Sequence, residues 1–307
     1  MRGLATYIMR GPVYAMLVTA VFAILTPVLP PLVIISGAAL TLATLRMGVK
    51  SGLMVGIGAT LITMVFFVLL SGNGLPALNI SIVVFLPLFI LALIYRNSIS
   101  LNRTLTVLAV LAGSMSLMVY MSLGDPGAWW SKVVETNILP ALEEREIDLQ
   151  SPDGRQVMLI LAWFGQVVIG LSIYFYTMIL AGSLLLARWW QSGLYNPGGY
   201  RDEFYNLRFG RIFAIAMIVA LGISFFEAGD LGNMALNVAI AAMFVFMLQG
   251  IALMHSIVAS RGMNILWLVI LYILILFALL QMTILLTVIA LVDSGLDIRR
   301  RLSSQSS

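Results

Sequence analysis

The sequence predicts an all-α fold, a polytopic membrane bundle, and three observations predict it. Of 307 residues, 61% are hydrophobic and 10% charged, under half the roughly 25% charged residues with which a soluble domain covers its surface. Mean hydropathy is +1.05. Apolar runs of about 20 residues, enough for a helix to cross a bilayer, recur from one end to the other. The expected architecture is one integral membrane domain over 1–307, with about eight to ten membrane helices, short hairpins included, and an amphipathic outer-face helix.

The first two runs, 12–28 and 31–45, flank Pro27, Pro30 and Pro31, which lack backbone donors and break a helix. Each is short for a span and reads as one arm of a tight hairpin. Arg2 and Arg10 before the first run resemble a signal peptide, but Thr26-Pro27-Val28-Leu29-Pro30-Pro31 offers no small-residue cleavage site, so the helix reads as retained. Spans at 51–71, 79–95 and 101–122 follow. The loop 123–156 then carries Trp129, Trp130, Val133, Val134, Ile138 and Leu142 at near-helical spacing, the pattern of an amphipathic interfacial helix anchored by Trp.

Beyond it lie 157–187, which is over-long for one span, then 211–227, 234–258 and 263–292. The last run would be about 45 Å long as one helix, against a hydrocarbon core of about 30 Å. Charge decides its course. With a cytoplasmic N-terminus, Arg46, Lys50, Arg96, Arg103, the basic loop 188–211 and Arg261 all fall inside. The loop 123–156 falls outside, holding Lys132, Arg145 and Arg155 against Asp125, Glu135, Glu143, Glu144, Glu146, Asp148 and Asp153. Keeping Arg299, Arg300 and Arg301 inside requires 263–292 to turn back near Leu279–Gln281, with 293–307 a cytoplasmic tail; one long crossing is the rival. These charges imply a multi-pass topology with the N-terminus and the tail in the cytoplasm.

Composition excludes several function classes. Without Cys there are no disulfides, thiolate metal sites or Cys nucleophiles, and the lone His255 cannot build a metal site of several imidazoles. No Ser–His pairing or intramembrane Asp pair is visible, so no catalytic residues, metal or cofactor are expected and the chain is not an enzyme. The net charge of +4 reads as cytoplasmic Lys and Arg, not as nucleic-acid binding.

Four groups of residues stand out. Gly48, Gly52 and Gly56, and likewise Ala15, Thr19 and Ala23, put small residues along one helical face, which suits close packing or docking of another membrane subunit. The turn signal Asn196-Pro197-Gly198-Gly199 precedes Tyr200, Arg201, Phe204 and Arg208, candidates for contact with a membrane or cytoplasmic protein or with lipid headgroups. Gln166, Glu227 and Asn237 are candidates for an outward-facing small-molecule pocket. The fourth group is the remaining polar residues of the apolar runs and their edges, Gln249, His255 and Gln281 among them, read as interhelical hydrogen bonds or wet helix ends.

Three elements of the sequence resemble a known family. The basic, Gly-rich start of the third helix (Arg46, Gly48, Gly52, Gly56), the segment Asn196-Pro197-Gly198-Gly199-Tyr200-Arg201-x-Glu203-Phe204 with Leu207 and Arg208, and the closing Asp293-x-x-x-Asp297-x-Arg299-Arg300 are similar to the YybS-like bacterial multi-pass membrane proteins. That family in turn resembles the substrate-binding S-components of energy-coupling-factor transporters. The resemblance implies transporter-type small-solute binding without catalysis, with Ala15, Thr19 and Ala23 as docking positions and Gln166, Glu227 and Asn237 facing ligand. A larger helix count and the acidic outer loop depart from that pattern. A membrane assembly or regulatory factor, acting through protein or lipid contacts, is the alternative reading.

Overall fold

The computed structural model describes residues 2–145, 148–227 and 229–296, which are helical apart from short connections and contain no strand. In order they are α1 Arg2–Ile8, α2 Pro12–Leu25, α3 Leu32–Met47, α4 Val49–Ser71, α5 Leu75–Ser98, α6 Leu101–Leu123 and α7 over 126–143. Then follow α8 Pro152–Tyr195, α9 Gly199–Tyr205, α10 Arg211–Phe226, α11 Asp230–Ser260, α12 Leu266–Phe277 and α13 Leu279–Leu296. Among the described residues, α4, α5, α6, α8, α11 and α13 are long and apolar enough to cross a membrane, and α2, α3, α10 and α12 are shorter apolar helices. The protein is an integral, multi-pass membrane protein whose outward-facing Leu53, Ile57, Leu61 and Val65 on α4 suit contact with lipid.

The chain divides into two compact units. The first comprises 1–108, 178–208 and 252–265; the second comprises 109–177, 209–251 and 266–307.

In the first unit, α2, α3 and α4 pack through small residues. Every position of α3 from Ser36 to Leu45 is buried, and Ser36 Oγ donates to the Thr19 carbonyl at 2.7 Å. Ala15, Thr19 and Ala23 are completely buried. A Cβ on Gly52 would run into Thr44 and Phe89. Both small-residue faces are therefore spent on packing inside the unit, and the Ala15–Thr19–Ala23 stripe is no exposed docking surface.

Gly48 departs from its expected place on a helical face. It is the one-residue link between α3 and α4, at φ 100° and ψ 178°, a conformation essentially reserved for Gly. In α5, residues Ser81–Phe85 form a π turn directly before Pro87, whose ring would clash with the carbonyl four residues earlier in a regular α-helix. Ser81 Oγ hydrogen-bonds Thr60 Oγ1 of α4 across this turn.

In the second unit, Trp130 of α7 docks against α8: its Nε1 donates to the Leu161 carbonyl at 2.8 Å, and its ring lies 5.1 Å from that of Phe164. Gly165 leaves room for the indole, since a Cβ there would collide with it. The helix expected within 123–156 is thus present; Glu146 and Ile147 of that loop lie outside the described residues. The over-long run is one helix, α8, of 44 residues and about 66 Å.

Three boundaries differ from expectation. The loop 188–211 begins late, because α8 continues to Tyr195. The tail begins late too, because α13 continues to Leu296; Asp297, Arg299, Arg300 and Arg301 lie outside the described residues. The segment 263–292 breaks at Ala278 but does not reverse near Leu279–Gln281. Ala278 N–H donates to the Leu274 carbonyl, and Met282 N–H donates to that of Ala278. Ala278 thus ends one helix and opens the next, and α12 and α13 pack on each other far less than the hairpin pair α3 and α4, so the break is a bend between successive helices.

The two glycines should respond differently to a methyl group. Gly48→Ala is expected to cost about 1–3 kcal/mol through its positive φ. At Gly56, on helix α4, a Cβ would make an ordinary 3.6 Å contact with Leu40, so Gly56→Ala should be neutral or stabilising by up to about 1 kcal/mol. Unfolding in detergent, followed by circular dichroism, compares them.

Candidate functional site

The polar centre of the first unit arises from a turn. α8 ends at Tyr195, and Gly198 in the left-handed region, at φ 93°, sends the chain back so that α9 lies against the last turns of α8. Ser192 fixes that return: its hydroxyl donates to the Asn196 carbonyl at 2.6 Å and accepts from Tyr200 N–H at 3.0 Å.

The return brings Glu203 to Arg188, whose side chain is only 5% exposed. Arg188 Nη2 pairs with Glu203 Oε1, and Nε donates to Oε2 at 3.3 Å, the forked geometry that a guanidinium and a carboxylate favour. Arg188 Nη1 donates to Gln191 Oε1 at 2.6 Å. Tyr95, buried at the end of α5, lies 2.9 Å from each Glu203 oxygen and donates its hydroxyl there. Its ring centroid is 4.8 Å from the Arg188 guanidinium. Arg188, Glu203, Tyr95 and Gln191 thus form one connected polar network, which is how a buried charge is tolerated.

Two further arginines face the same space. Arg96 Nη1 donates to the carbonyls of Thr44 and Leu45, at 3.3 and 3.4 Å, so it caps the C-terminal end of α3 where carbonyls lack helical partners. Arg46 sits over the ring of Tyr195, its guanidinium carbon 3.9 Å from the centroid. Arg46, Arg96 and Arg188, with Glu203, Tyr95, Gln191 and Asn196, line a cavity of about 310 Å³. Ile99 stands on its rim at φ 48°, a left-handed conformation strained for a β-branched residue, and such strain tends to collect at functional sites.

The rest of α9 is occupied otherwise than expected. Phe204 is buried, stacked on Tyr200 at 5.8 Å and edge-on to His255 at 5.8 Å. Phe204 and its contact with Tyr200 therefore pack inside the unit and do not present a partner surface. Arg201 is exposed and lies over the Tyr205 ring at 5.1 Å; Arg208 is half-buried.

Of Gln166, Glu227 and Asn237, only Asn237 is buried. Asn237 is buried, its Oδ1 accepting from Gly170 N–H and its Nδ2 donating to the Gln166 carbonyl, both at 2.6 Å. Those are the backbone groups that a regular helix would bond to each other, so the Asn237 amide bridges α8 and α11. Its Nδ2 also lies 2.8 Å from Tyr120 Oη. Gln166 and Glu227 have exposed side chains. A second buried cluster in this unit centres on Gln249, which forms the interhelical hydrogen bonds expected of it. Gln249 accepts from Phe209 N–H at 2.9 Å and donates toward Ser294 Oγ at 3.0 Å and Asp293 Oδ2 at 3.3 Å. Asp293 had been assigned to a tail, whereas it is buried in α13.

Sequence reading also missed Tyr95 and Arg188 as site residues. The available signal was Glu203, one of two acidic residues in an Arg-rich segment, following a turn that could return it to the Arg near the end of α8. Among the described residues no three or more His, Cys, Asp or Glu side chains gather where they could hold a metal ion. The cavity offers guanidinium, amide and phenol groups, a set suited to binding an anion. In comparisons with known proteins, the chain matches no family model, no curated protein and no solved structure.

Removing the one carboxylate should expose the dependence of Arg188 on it. Glu203→Gln is expected to destabilise by about 3 kcal/mol, the scale of breaking a buried pair. Arg201→Ala, at an exposed position, should change stability by no more than about 0.5 kcal/mol. Denaturant titration of the purified protein in detergent separates the two.

Proposed function

We propose that this integral membrane protein is a solute-binding component of transporter type, holding a small ligand in the Arg46–Arg96–Arg188 cavity and carrying out no bond chemistry. The observation that carries the reading is the cavity itself. Its volume of about 310 Å³ falls at the lower end of small-ligand pockets, about 300–1,000 Å³, and polar groups from α3, α5, α8 and the α8–α9 turn converge on it. A rigid bidentate pair at its wall keeps those groups in place without ligand. The resemblance to YybS-like proteins, and through them to S-components, agrees with solute binding in general, although it implied ligand contacts at Gln166, Glu227 and Asn237 and not at this cavity. From the tendency of Lys and Arg to stay on the cytoplasmic side, we read this cavity as cytoplasmic in a bacterial inner membrane.

A membrane assembly or regulatory factor is the second reading, favoured by the exposed Arg201 and Asp202 on α9, which a partner protein could reach.

Purified protein screened by thermal shift against anionic and neutral metabolites is expected to gain stability from an anionic group of compounds, and Arg96→Gln should remove that gain. No shift with any compound rejects solute binding. A crosslinked partner lost in Arg201→Glu, with the fold unchanged, selects the second reading.

A further inference from the structure

We infer that the cavity recognises a doubly charged phosphate group, held between Arg46 and Arg96; the inference rests on the reading of that cavity as a binding site. Charge is the first argument. Of the three guanidiniums around the cavity, Arg188 is neutralised by Glu203. Arg46 and Arg96 have no carboxylate partner among the described residues, which leaves two uncompensated positive charges facing one space. A phosphate monoester carries about −1.5 to −2 at pH 7 and balances both. A carboxylate would balance one and leave the other, and a neutral solute would balance neither.

Donor geometry is the second argument. Arg46 holds its guanidinium carbon 3.9 Å from the centre of the Tyr195 ring, a cation–π contact that engages no N–H group and leaves these donors for a ligand. Arg96 is oriented by the carbonyls of Thr44 and Leu45, which engage Nη1 and leave Nη2 for a ligand. Two oriented planar forks suit the several oxygens of a tetrahedral phosphate better than the two of a carboxylate. The third argument is preorganisation. The Arg188–Glu203–Tyr95 network closes one wall, so Glu203, which lines the cavity, has its charge met by Arg188 and not by Arg46 or Arg96.

The same phosphate chemistry can arrive as a free monoester or as a lipid headgroup, and the experiment separates the sources. The protein is placed in nanodiscs of phosphatidylcholine alone and titrated with inorganic phosphate and sn-glycerol 3-phosphate, using acetate and glycerol as controls at constant ionic strength. A second set of nanodiscs contains phosphatidic acid. Thermal stability and calorimetric affinity are read.

A free monoester predicts saturable binding of sn-glycerol 3-phosphate in phosphatidylcholine discs. A headgroup predicts stabilisation by phosphatidic acid without an effect of the soluble monoester. In either case Arg46→Gln should weaken binding at least tenfold, and Arg46→Lys, which keeps the charge but not the fork, should weaken it less. Because Arg96 also caps α3, Arg46 variants carry the test and Arg96→Gln serves as its companion. Binding that Arg46→Gln leaves unchanged overturns the inference. So does tighter binding of acetate or glycerol, an outcome that leaves solute binding standing and rejects only phosphate. Absence of any binding in both kinds of disc overturns the two together.

Discussion

Hydrocarbon offers no hydrogen-bond partner to an amide and no solvation to a charge, and that constraint governs how this chain folds. Backbone groups are consumed by helices. Where the helical pattern is interrupted, some other group of the protein supplies the partner. The Asn237 amide spans the Gly170 N–H and the Gln166 carbonyl; Gln249 serves the Phe209 N–H before α10 and the Ala290 carbonyl of α13; Arg96 serves the last carbonyls of α3. These polar side chains act as internal solvent. Buried in water-soluble proteins they would be specificity devices; here they are what allows helices to break, bend or approach closely at all.

The same constraint shapes the basic cavity. A guanidinium as buried as Arg188 is tolerable only with a carboxylate at bonding distance and with the carboxylate itself satisfied, which Tyr95 and the α8–α9 return provide. Once that network is complete, its geometry is fixed, and the neighbouring Arg46 and Arg96 become the groups whose charge is not spent. Packing of small residues in α2, α3 and α4 contributes by bringing α3, and with it Arg46, close to the end of α5. The cavity therefore follows from two independent requirements, close helix approach and charge compensation, that meet at one end of α3.

Legibility in the sequence followed the strength of the local signal. The apolar runs, the Pro27–Pro31 break, the long helix α8 and the amphipathic stretch anchored by Trp130 were readable because each is a local pattern with one physical solution. The small-residue faces were readable as packing surfaces, although the pattern at Gly48 misled: Gly continues a four-residue spacing there, yet its positive φ makes it a turn. The bend at Ala278 was not readable, because nothing in the local composition distinguishes a bend from a reversal, and the argument for reversal rested on charges in a distant tail. Gln166, Glu227 and Asn237 share a polar character that sequence can see, but which way each points depends on helix rotation, which it cannot.

Composition and periodicity by themselves determined that this is a helical membrane protein. With so few charges and such long apolar runs, no other solvent was open to it. Only the tertiary structure decided that Arg188 meets Glu203 and Tyr95, and that Arg46 and Arg96 face the space beside them. These residues come from four separate stretches of the chain. Their meeting depends on helix rotation and on one left-handed glycine at the α8–α9 turn, quantities set by packing over the whole unit and by no local run of residues.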